Sequence, residues 1–406
     1  MTSRRRPMAH RRRTTVHPRI RSSIPVAVLV ILVAMVGLRI ASASTQATTS
    51  PGASSAADTS RSIGSFPTPA VGTPDAPAAS DLSTSAPTNA PTGVPAPRPA
   101  TAVVAAPDAR FPGGLLIADR GNGRLLVIDA TRHVLWRFPR PGSLPGGQRF
   151  RADDAFLAPD GKTIVANDEQ HQVIDRIDVR TRKVIWQYGR YDHAGSARGY
   201  LSNPDDAYPL ANGNLVVADI KNCRIIEIAP SKRIVKTFGR SGVCSDRAPY
   251  TYGSPNGDTP LPDGGLLITE IRGSRVVRLS PTGKVLFDIH VPALYPSDAQ
   301  LDRHGNVIVA DYSNPGQVLA VSPRGRVLWR YGPRTGPGRL DHPSLATPLA
   351  DGTVSINDDF RHRIVVLDPK TMRIVWQYGR TDIPGRGANR LFIPDGHQPI
   401  PAGTAL

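Results

Sequence analysis

Asp153, Asp154, Asp205, Asp206, Asp258, Asp298 and Asp395 all lie in one short phrase that the chain writes six times. The copies are ADDAFLAPDG, PDDAYPLANG, PNGDTPLPDG, PSDAQLDRHG, PSLATPLADG and PDGHQPIPAG. Carboxylates brought to a common axis are hard oxygen donors, and such donors suit Ca²⁺. Asn256, Ser297 and His397 add polar atoms to the same phrases. The expected calcium ligands are Asp154, Asp206 and Asp298. The competing reading is a water-filled polar channel with some carboxylates bonded to backbone N–H groups. His397 is the one histidine at its position in the six phrases, where the equivalent positions hold Ala155, Ala207, Asp258, Ala299 and Ala346. An imidazole that breaks a repeat is the candidate catalytic acid–base. Divergence of a closing strand is the alternative.

The segments that follow each repeat are basic, with Arg190, Arg198, Arg240, Arg247, Arg334, Arg339, Arg380, Arg386 and Arg390. An acidic mouth inside an arginine rim suits an anionic ligand or an envelope protein, with or without a metal. There is no nucleophile elbow, P-loop, HExxH or dinucleotide fingerprint.

Strands must position these residues. GGLLIADRGNGRLLVIDATRHVLWRFPR is followed by GKTIVANDEQHQVIDRIDVRTRKVIWQYGR and GNLVVADIKNCRIIEIAPSKRIVKTFGR. GGLLITEIRGSRVVRLSPTGKVLFDIH, GNVIVADYSNPGQVLAVSPRGRVLWRYGP and GTVSINDDFRHRIVVLDPKTMRIVWQYGR complete six copies. Each copy reads as three short β-branched runs separated by turns, with no helical period. Strand repeats of this length mean a propeller. The acidic phrase supplies a fourth, innermost strand ahead of each unit. The first unit lacks it, because a low-complexity segment precedes Phe111 directly, and the spare copy stands at residues 394–403. The expectation is an all-β, six-bladed propeller over residues 108–406, closed by the C-terminal strand joining the first blade.

Here the residues resemble known families. IADRGNGRLL and VVADIKNCRII resemble NHL-repeat propellers. DVRTRKVIW and DPKTMRIVW are similar to the tryptophan-bearing repeat of quinoprotein-type propellers, with Arg182 and Met372 standing where those carry Gly. INDDFRHRIVVLDPKTMRIVW faintly resembles aryl sulfotransferase propellers, which use a channel histidine and arginines. Some six-bladed lactonases and esterases use a channel calcium directly, and the likeness in fold implies room for that chemistry. These resemblances cover about the last 300 residues and bear on fold more than function.

Residues that recur in every blade read as scaffold. Trp136, Trp186, Trp329 and Trp376 share one position in the outermost strand, where rings pack between neighbouring sheets. Asp119, Asp168, Asp219, Glu270, Asp311 and Asp358 end the second strand of each unit, and Arg124, Arg224, Arg275 and Arg363 follow five residues later. A carboxylate and a guanidinium across a tight turn share hydrogen bonds and hold it. Strand alternation puts the turns joining second and third strands on the same face as the linkers between blades. That brings Cys223 beside Cys244, and in an extracytoplasmic domain the expected product is a disulfide.

The chain's net charge is +17. Residues 1–23 hold eight arginines, and residues 24–38 are an unbroken apolar run. Residues 24–43 read either as a signal anchor, with Arg39 snorkelling, or as a signal peptide cleaved after Ala41-Ser42-Ala43. Both leave the basic leader cytoplasmic and the remainder outside. Residues 44–107, rich in Ala, Pro, Ser and Thr, form an extended disordered linker. The outward location disfavours nucleic acid as a partner, and a monomer is expected.

The leading functional expectation is a membrane-tethered extracytoplasmic binding module that uses its Arg-rimmed, acidic-channel face. The alternative is a channel-site enzyme, either a Ca-dependent, lactonase-like hydrolase or a transferase using His397 on an anionic substrate. Quinone-dependent oxidation is a further reading.

Overall fold

The computed structural model describes residues 110–406, so the leader, apolar run and linker expected over residues 1–107 lie outside the described residues. Among the described residues, twenty-four strands, β1 to β24 in chain order, form six antiparallel four-stranded sheets. The closing blade is ordered β24-β1-β2-β3, so the C-terminal strand completes the first sheet as the repeat count requires. Among the described residues no helix is long and apolar enough to cross a membrane.

The second strands are β1 (Leu115–Asp119), β5 (Thr163–Asp168), β9 (Leu215–Asp219), β13 (Leu266–Glu270), β17 (Val307–Asp311) and β21 (Val354–Asp358). Each is buried along its whole length, because neighbouring blades cover both faces of the sheet. Alternate side chains face opposite neighbours. Leu116 and Ala118 pack toward blade two, and Leu115 and Ile117 toward blade six. Six apolar clusters result among the described residues, one at each junction between blades.

The tryptophans belong to these junctions. The Trp136 indole donates to Val179 O in the next blade at 2.8 Å, and the Trp186 indole to Pro230 O at 2.9 Å. Trp376 packs on Phe111 with ring centres 5.0 Å apart. The acidic residues that end the second strands are buried staples. Asp119, Asp219 and Asp358 each accept from the Nε of the arginine five residues on, at 2.6 to 2.8 Å. They also accept from the backbone N–H of the incoming linker, at Phe392, Ser202 and Asp341. Arg182 and Met372, which replace the glycine of similar repeats, take φ of 55° and 54°. The turn thus keeps its left-handed conformation even though a Cβ now stands where glycine would carry none.

Cys223 and Cys244 form a disulfide with Cα atoms 5.2 Å apart. It joins the blade-three turn to the linker leaving that blade.

Candidate functional site

The inner strands are β4 (Ala155–Leu157), β8 (Pro204–Pro209), β12 (Pro255–Pro260), β16 (Pro296–Leu301), β20 (Ala346–Pro348) and β24 (Pro394–Pro399). They run from the linker face downward around the axis. Register shifts interrupt their pairing at Asp205/Ala207, Pro255/Asp258 and Pro296/Ala299, and opposite Ala118/Asp119 in β24. A bulge adds one residue and re-aims side chains. In β8 the bulged residue is Asp206, with φ of 33°. The bulges let consecutive residues of one strand approach the axis, which strict alternation would forbid.

The upper tier of the channel is organised by a residue outside the six phrases. Arg120, just after β1, ion-pairs with Asp153 and Asp395 through Nη1 and with Glu169 through Nη2 at 3.1 Å. Burial pushes Asp395 up, but Arg120 and hydrogen bonds from Asp153, Arg120 and Asp359 outweigh it and hold this carboxyl below its ordinary range. Asp153 is pushed well up by burial, against the Arg120 guanidinium that lowers it. Ser344 donates to Asp359 at 2.9 Å, and Asn203 donates to Glu169 at 2.7 Å.

One residue further along the strands the setting changes. Carboxylate oxygens of Asp154, Asp205 and Asp206 lie within 4.8 Å of one another. Burial, then the neighbouring carboxylates, push Asp154 and Asp206 well above the ordinary range. Asp298 stands beside them, pushed to about 6 by burial but moderated by donors. Gln300 Nε2 reaches it at 2.8 Å and Thr259 Oγ1 at 3.2 Å.

Asp258 and His397 occupy the fourth position of their strands, where register turns them to the junctions. Asp258 pairs with Ile268, part of the cluster shared by blades three and four, and it is fully buried with neither carboxylate oxygen hydrogen-bonded. His397 pairs with Ile117, on the face toward blade six. Its Nδ1 donates to Asn357 Oδ1 and its Nε2 accepts from the Ser355 hydroxyl at 2.6 Å. Burial lowers its pKa to about 3, so the ring is neutral at pH 7. The six phrases therefore bring six of the seven aspartates around the axis, while His397 sits between blades.

Above the acids lies an aromatic arc. Tyr295 and Tyr312 are 5.4 Å apart, Tyr312 and His342 4.8 Å, and His342 and Phe360 4.7 Å. The Tyr295 hydroxyl donates to Asn256 at 3.1 Å, and Phe360 is exposed. Arg190, Arg198, Arg240, Arg247, Arg334, Arg380 and Arg386 project as exposed side chains from the surrounding loops, with Arg190 over the Tyr200 ring. Arg339 is held by Asn314 and Asp341, and the carbonyl of Arg390 accepts from Arg124. At the lower end, Phe156 and Tyr208 stack 3.9 Å apart. Behind that pair a hollow of about 1070 Å³ opens on the opposite face, away from the Asp–Arg120 cluster.

Arg120, Glu169, Tyr312 and Asp359 escape a reading of the six phrases. All four directly follow the recurring acid of the second strand, where the other two units have Ile220 and Ile271. The signal was available: a variable position beside an invariant one, at the turn nearest the axis.

Residues 236–391 match a PQQ-type family model described as outer membrane protein assembly factor BamB. Among solved structures, the chain is similar to a protein of unknown function from Bacteroides caccae, at 17% identity and a TM-score of 0.51, covering 70% of this chain and 98% of that one. It is also similar to a catalytically inactive virginiamycin B lyase from Staphylococcus aureus with quinupristin, at 16% identity and 0.42, covering 57% and 71%. Hydrazine synthase of Kuenenia stuttgartiensis matches at 14% identity and 0.38, covering 54% and 77%. No curated protein matches the chain. At these identities the likeness is one of fold, a ring of propeller repeats.

Proposed function

We propose that the chain is an extracytoplasmic binding module, tethered through its N-terminal segment, that takes a ligand or envelope protein at the upper mouth of the propeller. The observation that supports this most is the convergence there of Arg120, three carboxylates and the Tyr295–Tyr312–His342–Phe360 arc. Aromatic faces accept flat, CH-rich groups, and carboxylates accept hydrogen bonds from amines or hydroxyls. The exposed arginines outside the mouth favour a partner that is anionic at its periphery. The test is a photo-crosslinking residue placed at Phe360 in the full chain, in the cells that make it. A defined adduct from Phe360, and none from Arg324 on the opposite face, is expected. Equal yields at both positions, or none at either, would overturn the reading.

A channel-site enzyme is the second reading, and the grouping of Asp154, Asp205 and Asp206 is what favours it. Hydrolysis of an ester or lactone probe that needs calcium and vanishes in Asp206→Asn would support it. His397→Ala tests the transferase version: sulfuryl or phosphoryl transfer that persists in the variant would rule it out, since the ring is buried between blades against Ser355 and Asn357.

A further inference from the structure

The axial carboxylates differ in what answers their charge. Asp153, Asp395 and Glu169 have Arg120, and Asp298 has Gln300 and Thr259. Asp154 and Asp206 are 7% and 3% exposed, and among the described residues no donor meets either carboxylate. A buried carboxylate with no partner costs free energy that a proton or a cation must relieve. We infer that Asp154, Asp205 and Asp206 form a binding site for one divalent cation, with Ca²⁺ as the best match.

The spacing fits this assignment. Three protein carboxylates on one ion suit Ca²⁺, whereas Mg²⁺ keeps several waters and takes one or two carboxylates. The three donors lie within 4.8 Å of one another, so one ion can touch all three. All are carboxylate oxygens, which selects against metals that favour thiolate or imidazole. The cradle is built by backbone choices. A Cβ at Gly396 would stand 2.1 Å from Asp154 Oδ1, so only glycine admits that side chain. Asp205 is half-buried, the most accessible of the three. The set differs from the sequence expectation in one member: Asp205, with one oxygen accepting from the Asp206 N–H, replaces Asp298, both of whose oxygens are hydrogen-bonded. The cation site stands whether or not the mouth also takes a partner.

The test uses the purified full chain, stripped with EGTA and dialysed against radiolabelled calcium, with melting followed in parallel. One Ca²⁺ per chain is expected, together with a rise in melting temperature that millimolar Mg²⁺ does not reproduce. Asp206→Asn and Asp154→Asn should each weaken calcium binding by about tenfold or more, in line with the dependence of such sites on ligand charge. Both should melt higher than the parent in EGTA, because one repelling carboxylate is gone. Asp192→Asn, at an exposed turn, should bind as the parent does. No calcium bound to the native chain would overturn the assignment, even if both variants failed to fold. So would binding undiminished in two folded variants, or binding of Mg²⁺ in place of Ca²⁺.

Discussion

Asp153 and Asp154 are adjacent in sequence and equally buried, yet they belong to opposite electrostatic regions. The upper tier carries its own cation, Arg120, fixed between three carboxylates. The deeper node, Asp154 with Asp205 and Asp206, has three carboxylates and, among the described residues, no basic side chain in contact. The difference teaches that counterions, rather than acid content, decide what an acidic channel can do. A neutralised tier holds the inner strands of blades one and two together. An unneutralised node keeps protons, or takes an ion from outside.

The largest effect should come from erasing the difference at the top. Arg120→Met leaves Asp153, Asp395 and Glu169 unanswered, and removal of one partner from a buried ion pair costs about 3–5 kcal/mol. Urea unfolding at neutral pH should show a loss of that order. An effect under about 1 kcal/mol, the range of exposed pairs, would mean that Arg120 is a surface contact and that the two tiers do not differ. The deeper node should respond with the opposite sign: Asp206→Asn is expected to stabilise the calcium-free protein.

The disulfide lies outside both tiers. Replacing Cys223 and Cys244 together by serine opens a loop of about 20 residues and should cost about 3 kcal/mol. Melting temperature should fall while the calcium response persists. A lost response would tie the node to the blade-three linker.

Asp175 offers a third setting, a buried carboxyl with a neutral partner. Burial pushes it to about 7, against a hydrogen bond from Gln187 that lowers it and with Asp168 raising it. Its folded pKa exceeds its unfolded one, so the folded state holds the proton more tightly between roughly pH 4 and 7. Stability is then lost as pH rises through that window. Asp175→Asn should flatten this slope and melt higher than the parent at pH 8; an unchanged slope would contradict the burial argument. The smallest effect belongs to the rim, where Arg198→Ala should stay within about 0.5 kcal/mol.

Much of this architecture was legible from the chain. Six strand repeats and a displaced sixth copy of the inner-strand phrase fix the ring and its closure, because a propeller with an incomplete first blade needs its last strand. Alternation fixed the face, and with it the Cys223–Cys244 bond. The acidic axis was visible as a phrase, but its division was not. Periodicity of two cannot show that bulges at Asp206 and opposite Asp119 rotate consecutive side chains. His397 looked axial because its phrase is axial, yet register one position later points it at Ser355 and Asn357. Arg120 was hidden for another reason. A cation reaching 275 residues along the chain to Asp395 leaves no local pattern.

The central claim is that the axis has one tier with a built-in cation and one without. Anomalous diffraction from crystals of the protein soaked in terbium, a scatterer that takes calcium sites, tests it most directly. The expected result is one axial peak at bonding distance from Asp154, Asp205 and Asp206, with none at Asp153 or Asp395. A peak displacing Arg120 from the upper tier, or no axial peak at all, would contradict it.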